Sequence, residues 1–292
     1  MKPAPFDYLA ADSVDAAVQA LAAAGGDGKI IAGGQSLLPM LNFRLLRPLI
    51  LIDVNRISDL ADVRDDGDDI CIGPLTRHRT LETSRVIAAE FPVLHEAMGY
   101  VAHLAIRNRG TIGGSLSHAD PAAELPMMSL LLDARLALQS PSGRRTVRAR
   151  DFFLGALTTA LEDDEMLVEV RLPKLSKGAG WAFEEVARRS GDFALACVAV
   201  ILNSDGDRIS SIRIGMMGIG ETPMRATDAE VLLTGQRYSD AAVAAAIDVI
   251  RATVEPNTDL HASSDYRRHL VGILAQRAIA KAWDRSKEAR RD

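Results

Sequence analysis

The sequence predicts an α+β protein with two parts, and three observations carry that prediction. Near the start, short apolar runs rich in β-branched residues alternate with helical patterns. In the last third, strand patterns come first and helical patterns follow. Between the two parts, residues 172–180 turn to Pro, Gly, Lys and Ser. We therefore expect one domain at 1–175, a second at 176–286 and a tail at 287–292.

The N-terminal part is expected to open as a small α/β unit, in which one helix precedes two buried strands. The predicted helices of this part are 14–24, 81–91 and 122–132. The predicted strands are 29–32, 49–54, 69–73, 134–139, 146–148 and 166–172. Turn residues separate the last three strands, so we predict that they form a meander.

The C-terminal part is expected to be a sheet followed by helices. Strand patterns cover 181–187, 194–202 and 209–215, and helical patterns cover 228–233, 240–253 and 266–283. Cys71 and Cys197 fall inside apolar strands, which indicates small core residues rather than nucleophiles. The basic run at 144–150 alternates in charge, which is typical of a solvated face, with contact to a partner subunit as the alternative.

The composition excludes several classes of function. Lys and Arg number 34 against 39 Asp and Glu, and aromatic residues are 4% of the chain, so nothing favours nucleic acid binding. Two cysteines are too few to ligate an iron–sulfur cluster or a four-thiolate metal site. The start lacks a signal-peptide core and no stretch approaches the roughly 20 apolar residues of a membrane span, so we expect a cytoplasmic protein.

The first chemical signal is a strand at 30–32 that enters a Gly-Gly turn and leaves it as an apolar helical segment. Gly33 and Gly34 permit positive φ angles and let an anion approach the backbone with no Cβ in the way. Ser36 stands where a helix N-cap would, so the free amides of the first turn are expected to face outward. This pattern predicts a phosphate cradle.

A second Gly-Gly pair, Gly113-Gly114, is also flanked by small hydroxyl residues and followed by a helix. One such pair is more typical of a tight turn, but two with matching flanks indicate two segments that clasp the phosphates of one dinucleotide. Neither segment fits the Gly-x-Gly-x-x-Gly pattern of a Rossmann unit, and no Gly-Lys-Ser/Thr completes a P-loop. The six histidines show no metal-ligand spacing, and no Gly-x-Ser-x-Gly elbow indicates a hydrolase, so we predict neither a metal site nor a catalytic side chain.

Both glycine segments closely resemble the paired FAD-binding signatures of medium subunits of carbon monoxide dehydrogenase-like molybdenum hydroxylases, in the xanthine oxidase family. Shorter blocks extend the resemblance over nearly the whole chain; these are 72–78, 187–194 and 261–270. The resemblance implies a two-subdomain FAD-binding fold of the vanillyl-alcohol oxidase/PCMH type, with subdomains at about 1–55 and 56–175, followed by a smaller α+β domain. In that fold FAD lies extended between the subdomains, and the glycine segments hold its pyrophosphate.

Carried over residue by residue, the resemblance implies a set of FAD contacts. Those in the glycine segments are Ala32, Gly33, Gly34, Gln35, Ser36, Leu37, Thr111, Ile112, Gly113, Gly114 and Ser115. Glu124 matches an acidic position that contacts the ribityl chain, Asp120 is a further polar contact, and His118 lines the same wall with Ser117. Phe193 matches a position beside the isoalloxazine ring where tyrosine is also found, so stacking is kept and a hydroxyl is lost. Glu184 stands where some relatives place a lysine, although a solvated strand residue is the simpler interpretation.

The function implied by the resemblance is electron transfer without a catalytic side chain. A large subunit with a molybdenum cofactor would hydroxylate the substrate, and a small subunit with two two-iron two-sulfur clusters would carry electrons to the FAD of this chain. The assembly would be a dimer of heterotrimers, with the substrate chosen by the large subunit. Two alternatives stay open: a self-contained flavin oxidoreductase, for which no acid–base pair is evident, and a non-catalytic assembly subunit, against which the intact spacing of both segments argues.

Overall fold

The computed structural model describes residues 1–289. Within them the chain forms two compact units whose segments alternate along the sequence. The first unit consists of Met1–Leu81, His103–Ala119 and Asp133–Pro173; the second consists of Glu82–Ala102, Asp120–Leu132 and the described chain from Lys174 onward. The chain therefore enters the second unit twice before it reaches the linker near residue 175. The sequence division at 1–175 and 176–286 stays a prediction.

The first unit contains two main sheets and a short hairpin. Its strands are β1 (Asp7–Ala10), β2 (Gly28–Ile31), β3 (Ile50–Asp53), β4 (Val63–Asp66), β5 (Asp69–Ile72), β6 (Arg135–Ser140), β7 (Gly143–Arg148), β8 (Phe153–Gly155), β9 (Thr158–Thr159) and β10 (Met166–Pro173). The parallel sheet has the order β1-β3-β2, the antiparallel sheet has the order β4-β5-β10-β6-β7, and β8 pairs with β9. Its helices are α1 (Val14–Ala24), α2 (Leu37–Asn42), the start of α3 (His78–Thr83), α6 (Leu104–Arg107) and α7 (Ile112–His118).

The small opening α/β unit is confirmed, and its helix has clear local causes. The hydroxyl of Ser13 accepts a hydrogen bond from the amide of Ala16 at 3.2 Å, and Gly25 ends α1 with a left-handed φ of 55°. Val18 and Leu21 of α1 are buried in an apolar cluster that includes residues of both main sheets. The two sheets of the first unit therefore share one core.

The predicted meander is wrong, because β10 lies between β5 and β6 instead of beside β7. Every apolar side chain of β10 except that of its terminal proline is buried, whereas β7 is exposed along nearly its whole length. The more apolar strand therefore takes the centre of the sheet, and the arginine-rich strand forms its edge. At this edge Arg145 pairs with Glu165 at 2.6 Å, and the exposure of β7 confirms a solvated face.

The predicted single helix at 81–91 is also wrong, because the chain breaks at Ser84. Ser84 has extended backbone angles and caps α4 (Arg85–Glu90), with its hydroxyl accepting from the amide of Ile87 at 3.3 Å. The next helix, α5 (Pro92–Met98), begins with a proline, which suits a first helical turn. The elements α5, α6, β1 and β4 were not predicted from the sequence.

The second unit confirms the expected sheet followed by helices. Its strands are β11 (Gly180–Ala187), β12 (Ala194–Asp205), β13 (Arg208–Met217) and β14 (Met224–Arg225), which are antiparallel neighbours in that order. Its helices are α4, α5, α8 (Glu124–Leu131), α9 (Thr227–Leu233), α10 (Asp240–Thr253) and α11 (Ser264–Glu288). The first residues of the predicted tail at 287–292 therefore continue α11, and residues 290–292 lie outside the described residues.

Helices pack on the sheet of the second unit at defined positions. α11 packs on β11 and β12, and α8 packs on β13. Gly215 of β13 makes room for α8, since a Cβ there would lie 2.8 Å from Sδ of Met127. Cys71 and Cys197 are buried free thiols, which confirms their assignment to the core. None of the described helices combines the length and apolar character needed to cross a bilayer.

Candidate functional site

The first glycine segment, residues 32–37, connects β2 to α2 in the first unit. Gly34 has a φ of 72°, a left-handed conformation that a side chain would strain. Gly33 is needed for a different reason, since a Cβ there would lie 2.3 Å from the backbone oxygen of Arg109. Both glycines are therefore required by the local structure, one for its backbone angle and one for a close approach.

Unpaired backbone donors are the main feature of this segment. The amides of Leu38 and Met40 bond to the carbonyls of Gly34 and Ser36, so helical hydrogen bonding begins at Leu38. In the described part of the chain, the amides of residues 33–37 make no hydrogen bond. Ser36 is the N-cap of α2 as predicted, but its hydroxyl forms no capping bond. Consecutive free donors at a helix start are suited to an anion.

The second glycine segment, residues 111–115, forms the first turn of α7 and is not a loop. Thr111 caps the helix, and its hydroxyl accepts from the amide of Gly114 at 3.1 Å. The amide of Ile112 bonds to the Thr76 carbonyl at 3.1 Å, and that of Gly113 bonds to the Pro74 carbonyl at 2.8 Å. These donors are therefore already used within the protein, unlike those of the first segment.

The second segment presents to a ligand a helical surface without side chains at its glycines. Gly113 is buried, and a Cβ on it would lie 2.4 Å from Cβ of Pro74, so this glycine serves packing. Gly114 is exposed, and Ser115 is half-buried with its amide bonded to the Thr111 carbonyl at 3.0 Å. His118 ends the same helix and is half-buried. The two glycine segments thus differ in their chemistry.

The two segments approach each other within the first unit, and two polar side chains bridge them. Nδ2 of Asn55 donates to the Ala32 carbonyl at 2.8 Å, and Oδ1 of Asn55 accepts from Nη2 of Arg77 at 2.7 Å. Nη1 of Arg77 in turn donates to the carbonyl of Arg109, which is the oxygen that Gly33 approaches. Neither Asn55 nor Arg77 was predicted as a site residue, because only the tertiary structure brings them to the glycine segments.

Positive charge accumulates at this place. Burial lowers the pKa of Arg77 from its ordinary value, the neighbouring guanidinium of Arg109 lowers it further, and Asp53 opposes both. Arg109 is exposed and precedes the second glycine segment by two residues. Two guanidinium groups beside free amides create a field that favours an anion.

A buried histidine lies next to the second glycine segment. The amide of His78 bonds to the Gly110 carbonyl at 2.9 Å, and a Cβ on Gly110 would lie 2.9 Å from Nδ1 of the ring. The residue is 6% exposed, and neither ring nitrogen has a hydrogen-bond partner among the described residues. Burial lowers the pKa of His78 to about 4; the Thr111 backbone opposes this shift, and the smaller effects of Arg107 and Arg77 add to it. The ring is therefore uncharged at neutral pH.

The other predicted contacts belong to the second unit. Asp120 uses Oδ1 to accept from the amide of Ala122 at 2.9 Å, which fixes the turn before α8. Glu124 is the first residue of α8 and is 6% exposed. Phe193 lies just before β12, and its side chain is 63% exposed. The structure thus describes where these residues lie, and their contact with FAD stays a prediction.

Two adjacent glutamates of β11 have different surroundings. Burial, and then the charge of Glu124, raise the pKa of Glu185 to about 8, and Oε2 of Glu185 is buried with no hydrogen-bond partner in residues 1–289. Glu184 pairs with Lys281 at 3.5 Å, so the interpretation of Glu184 as a merely solvated residue is wrong. Among the described residues, no group of His, Cys, Asp and Glu side chains is arranged to hold a metal ion.

Two family models together match nearly the whole chain. Residues 4–175 match the FAD binding domain in molybdopterin dehydrogenase, and residues 181–282 match the CO dehydrogenase flavoprotein C-terminal domain. The chain is 43% identical to the alpha subunit of the 6-hydroxypseudooxynicotine dehydrogenase complex of Paenarthrobacter nicotinovorans, over 98% of this chain and 97% of that protein. It is 40% identical to the carbon monoxide dehydrogenase medium chain of Hydrogenophaga pseudoflava, over 98% and 99% of the two chains.

Solved structures show the same similarity. A chain of carbon monoxide dehydrogenase from Hydrogenophaga pseudoflava, in a form lacking the Mo-pyranopterin moiety of the molybdenum cofactor, superposes with a TM-score of 0.96 at 42% identity. That match covers 98% of this chain and 99% of the other. A chain of quinoline 2-oxidoreductase from Pseudomonas putida 86 has a TM-score of 0.93 at 38% identity, with 99% of each chain covered.

Proposed function

The chain belongs to the family of FAD-binding medium subunits of molybdenum-containing dehydrogenases, and from that premise we propose that it is the electron-transfer subunit of a molybdenum hydroxylase complex. Its relatives are subunits of multi-subunit oxidoreductases. In the proposed complex, a large subunit with a molybdenum cofactor oxidises the substrate. Electrons then pass through the iron–sulfur clusters of a small subunit and the FAD held by this chain to an external acceptor. The complete assembly is a dimer of heterotrimers.

The unpaired amides of residues 33–37 are the observation that carries this proposal. They are consecutive donors next to two glycines that leave the backbone bare, and Arg77 and Arg109 add positive charge. A diphosphate needs several donors and countercharge at one place, so these residues fit the pyrophosphate of FAD. The second glycine segment contributes the exposed Gly114 surface, against which a ligand can lie without meeting a Cβ.

The remaining predicted contacts complete the proposed FAD site. They are Thr111, Ile112, Gly113, Ser115, His118, Asp120, Glu124 and Phe193. When bound, FAD supplies the redox chemistry, and the chain supplies binding, orientation and restricted access. We assign no side chain of this protein to acid or base chemistry on the organic substrate.

The test is purification of the chain together with its partner subunits, followed by identification of the released chromophore. About one FAD per copy of this chain is expected, and Gly34→Val and Gly114→Val should lose it. Anaerobic addition of the chemically reduced iron–sulfur subunit should bleach the visible absorption of the flavin. An assembled complex without FAD would refute the proposal and favour a non-catalytic assembly subunit. Oxidation of an organic substrate by this chain alone would favour a self-contained oxidoreductase.

A further inference from the structure

Asn55 and Arg77 form a polar connection, which we call the Asn55–Arg77 bridge, between the first glycine segment and the residues that precede the second. One end of the bridge is the Ala32 carbonyl, bonded to Asn55 at 2.8 Å. The other end is the Arg109 carbonyl, bonded to Arg77. The two side chains meet at 2.7 Å between Oδ1 and Nη2. One end of the bridge therefore lies in the first glycine segment, and the other lies two residues before the second.

The bridge is itself held in place by the end of β3. Oδ1 of Asp53 accepts from Nδ2 of Asn55 at 2.7 Å and from the Asn55 amide at 2.8 Å. Oδ2 of Asp53 accepts from the hydroxyl of Tyr8 at 2.6 Å. The side-chain hydrogen bond from Tyr8 and the bonds from Asn55 lower the pKa of Asp53, although burial acts in the opposite direction. Asp53 is therefore ionised at neutral pH and orients the amide of Asn55.

The backbone of the first glycine segment and that of Arg109 and Gly110 approach each other closely at this point. Gly33 packs so closely against Arg109 and Gly110 that a Cβ would lie 2.3 Å from one carbonyl oxygen and 2.9 Å from Cα of Gly110. The same Arg109 carbonyl accepts the bond from Arg77. The bridge is therefore bonded to Arg109 at one end and, at the other, to Ala32, the residue next to Gly33. Because Ala32 and Gly33 lead directly into the unpaired amides, their position sets where those donors point.

We propose that Asn55 and Arg77 are positioning residues for the cofactor, which hold the two glycine segments at the separation that the pyrophosphate of FAD requires. This inference rests on the proposed function. The bridge acts through the backbone of Ala32 and Arg109, and neither side chain has to touch the cofactor. Asn55 is exposed and Arg77 is half-buried, so their loss should change ligand affinity more than folding.

Three substitutions in the full-length chain distinguish a positioning role of Asn55 and Arg77 from a role of charge or a role in folding. Arg77→Lys keeps the positive charge but loses the planar fork that bonds Asn55 and Arg109 at once. Arg77→Gln loses both the charge and the fork. Asn55→Ala removes both the acceptor for Arg77 and the donor to the Ala32 carbonyl without adding a charge. Arg150→Lys is the matched control, since Arg150 is an exposed arginine of the same unit and, among residues 1–289, pairs only with its neighbour Asp151 at 3.6 Å.

The measurement is the dissociation constant of FAD, obtained by titration of the apoprotein and followed by flavin fluorescence. It is repeated with the assembled complex, and thermal unfolding of each apoprotein is recorded in parallel. We expect Arg77→Lys and Asn55→Ala each to weaken FAD binding by about tenfold, which corresponds to about 1.4 kcal/mol. The double variant should be little weaker than either single variant, because one bridge is broken in all three. The apoproteins should unfold at nearly the wild-type temperature.

Several outcomes would overturn the inference. Wild-type affinity in Arg77→Lys together with weak binding in Arg77→Gln would show that Arg77 acts by charge and not by position. Additive losses in the double variant would show two independent contacts, and a large fall in apoprotein unfolding temperature would show a structural role. Unchanged affinity in all bridge variants of a protein that binds FAD would refute this inference alone. Absence of FAD from the wild-type chain and complex would refute it together with the proposed function.

Discussion

At the scale of single residues, the informative groups are buried polar atoms that the protein itself does not satisfy. His78 in the first unit has two such nitrogens, and Glu185 in the second unit has one such oxygen. A buried polar group without a partner costs about 1–3 kcal/mol, so these side chains are under-satisfied in the protein alone. Because the pKa of each of these side chains differs between the folded and the unfolded protein, the free energy of unfolding depends on pH, and this dependence can be measured.

For His78 we expect stability to fall as the pH is lowered from 6.5 towards 4. Burial lowers the pKa of His78 to about 4 in the folded protein, whereas the ordinary value is 6.5, so the unfolded chain takes up the proton first. The total loss in free energy of unfolding caused by this shift is about 3 kcal/mol. His78→Leu should remove it, so the loss in free energy of urea unfolding between pH 7 and pH 4.5 should shrink by about 2 kcal/mol.

His103→Leu is the control for that experiment, because His103 is an exposed histidine of the same unit. This control should keep the pH dependence of the wild type. An identical pH dependence in wild type and His78→Leu would show that the ring is charged in the folded protein or is not buried.

For Glu185 the dependence of stability on pH has the opposite sign. Burial and Glu124 raise its pKa to about 8 from an ordinary value of 4.5, so the folded protein keeps a proton that the unfolded chain releases. Stability is therefore lost as the pH rises from 4.5 to 8. Glu185→Gln should raise the unfolding temperature at pH 8 and have little effect at pH 5. In contrast, Glu184→Gln should give no gain at pH 8, because it removes the pair with Lys281; equal responses of the two variants would contradict the prediction.

At the scale of elements, the glycine segments show that similar sequences can perform different tasks. The pair in the first segment precedes a helix and leaves five amides unpaired, whereas the pair in the second lies inside a helix whose amides are used. The two pairs also differ in their close contacts: Gly33 approaches the backbone of Arg109, and Gly113 approaches Pro74. Replacement of either glycine by alanine therefore tests the close approach made by that segment.

Gly33→Ala should separate the first segment from Arg109, because its Cβ would lie 2.3 Å from a backbone oxygen that has no freedom to rotate away. We expect FAD affinity to fall by at least about tenfold, and the apoprotein to be less stable. Gly155→Ala is the matched control in the same unit, since its Cβ would meet only Cβ of Thr158 at 3.9 Å. FAD titration and thermal unfolding measure both effects; wild-type behaviour of Gly33→Ala would disprove the close approach.

At the scale of the whole molecule, the order of segments along the chain differs from their grouping in space. Residues 82–102 and 120–132 precede the linker near 175, yet they belong to the unit formed by the C-terminal sheet. All eight residues of α8 are buried, and this helix packs on β12, β13 and β14, while α5 packs on β11. The N-terminal sequence domain therefore contains apolar surfaces on which the C-terminal strands pack.

A fragment ending at residue 175 should consequently fold incompletely. Without β11–β14, the apolar side chains of α8, among them Leu125, Met128 and Leu131, lose the sheet on which they pack. We expect the fragment to bind a hydrophobic dye and to be cut by protease within 120–132, where the full chain is protected. A fragment with the protection and dye response of the full chain would contradict this expectation.

The class of fold, the glycine segments and most elements of the C-terminal part could be predicted from the sequence alone, and the family from the resemblance of those segments. These properties follow from local periodicity, capping residues and short motifs, as α1 shows with Ser13 and Gly25 at its ends. Three features depend on the folded chain: the strand at the centre of the five-stranded sheet, the amides that stay unpaired among the described residues, and the residues that bridge the glycine segments. Asn55, Arg77 and Glu185 gave no sufficient local signal, because their roles depend on neighbours far away in the sequence. Burial and hydrogen-bond satisfaction are properties of the assembled chain, and no single segment contains them.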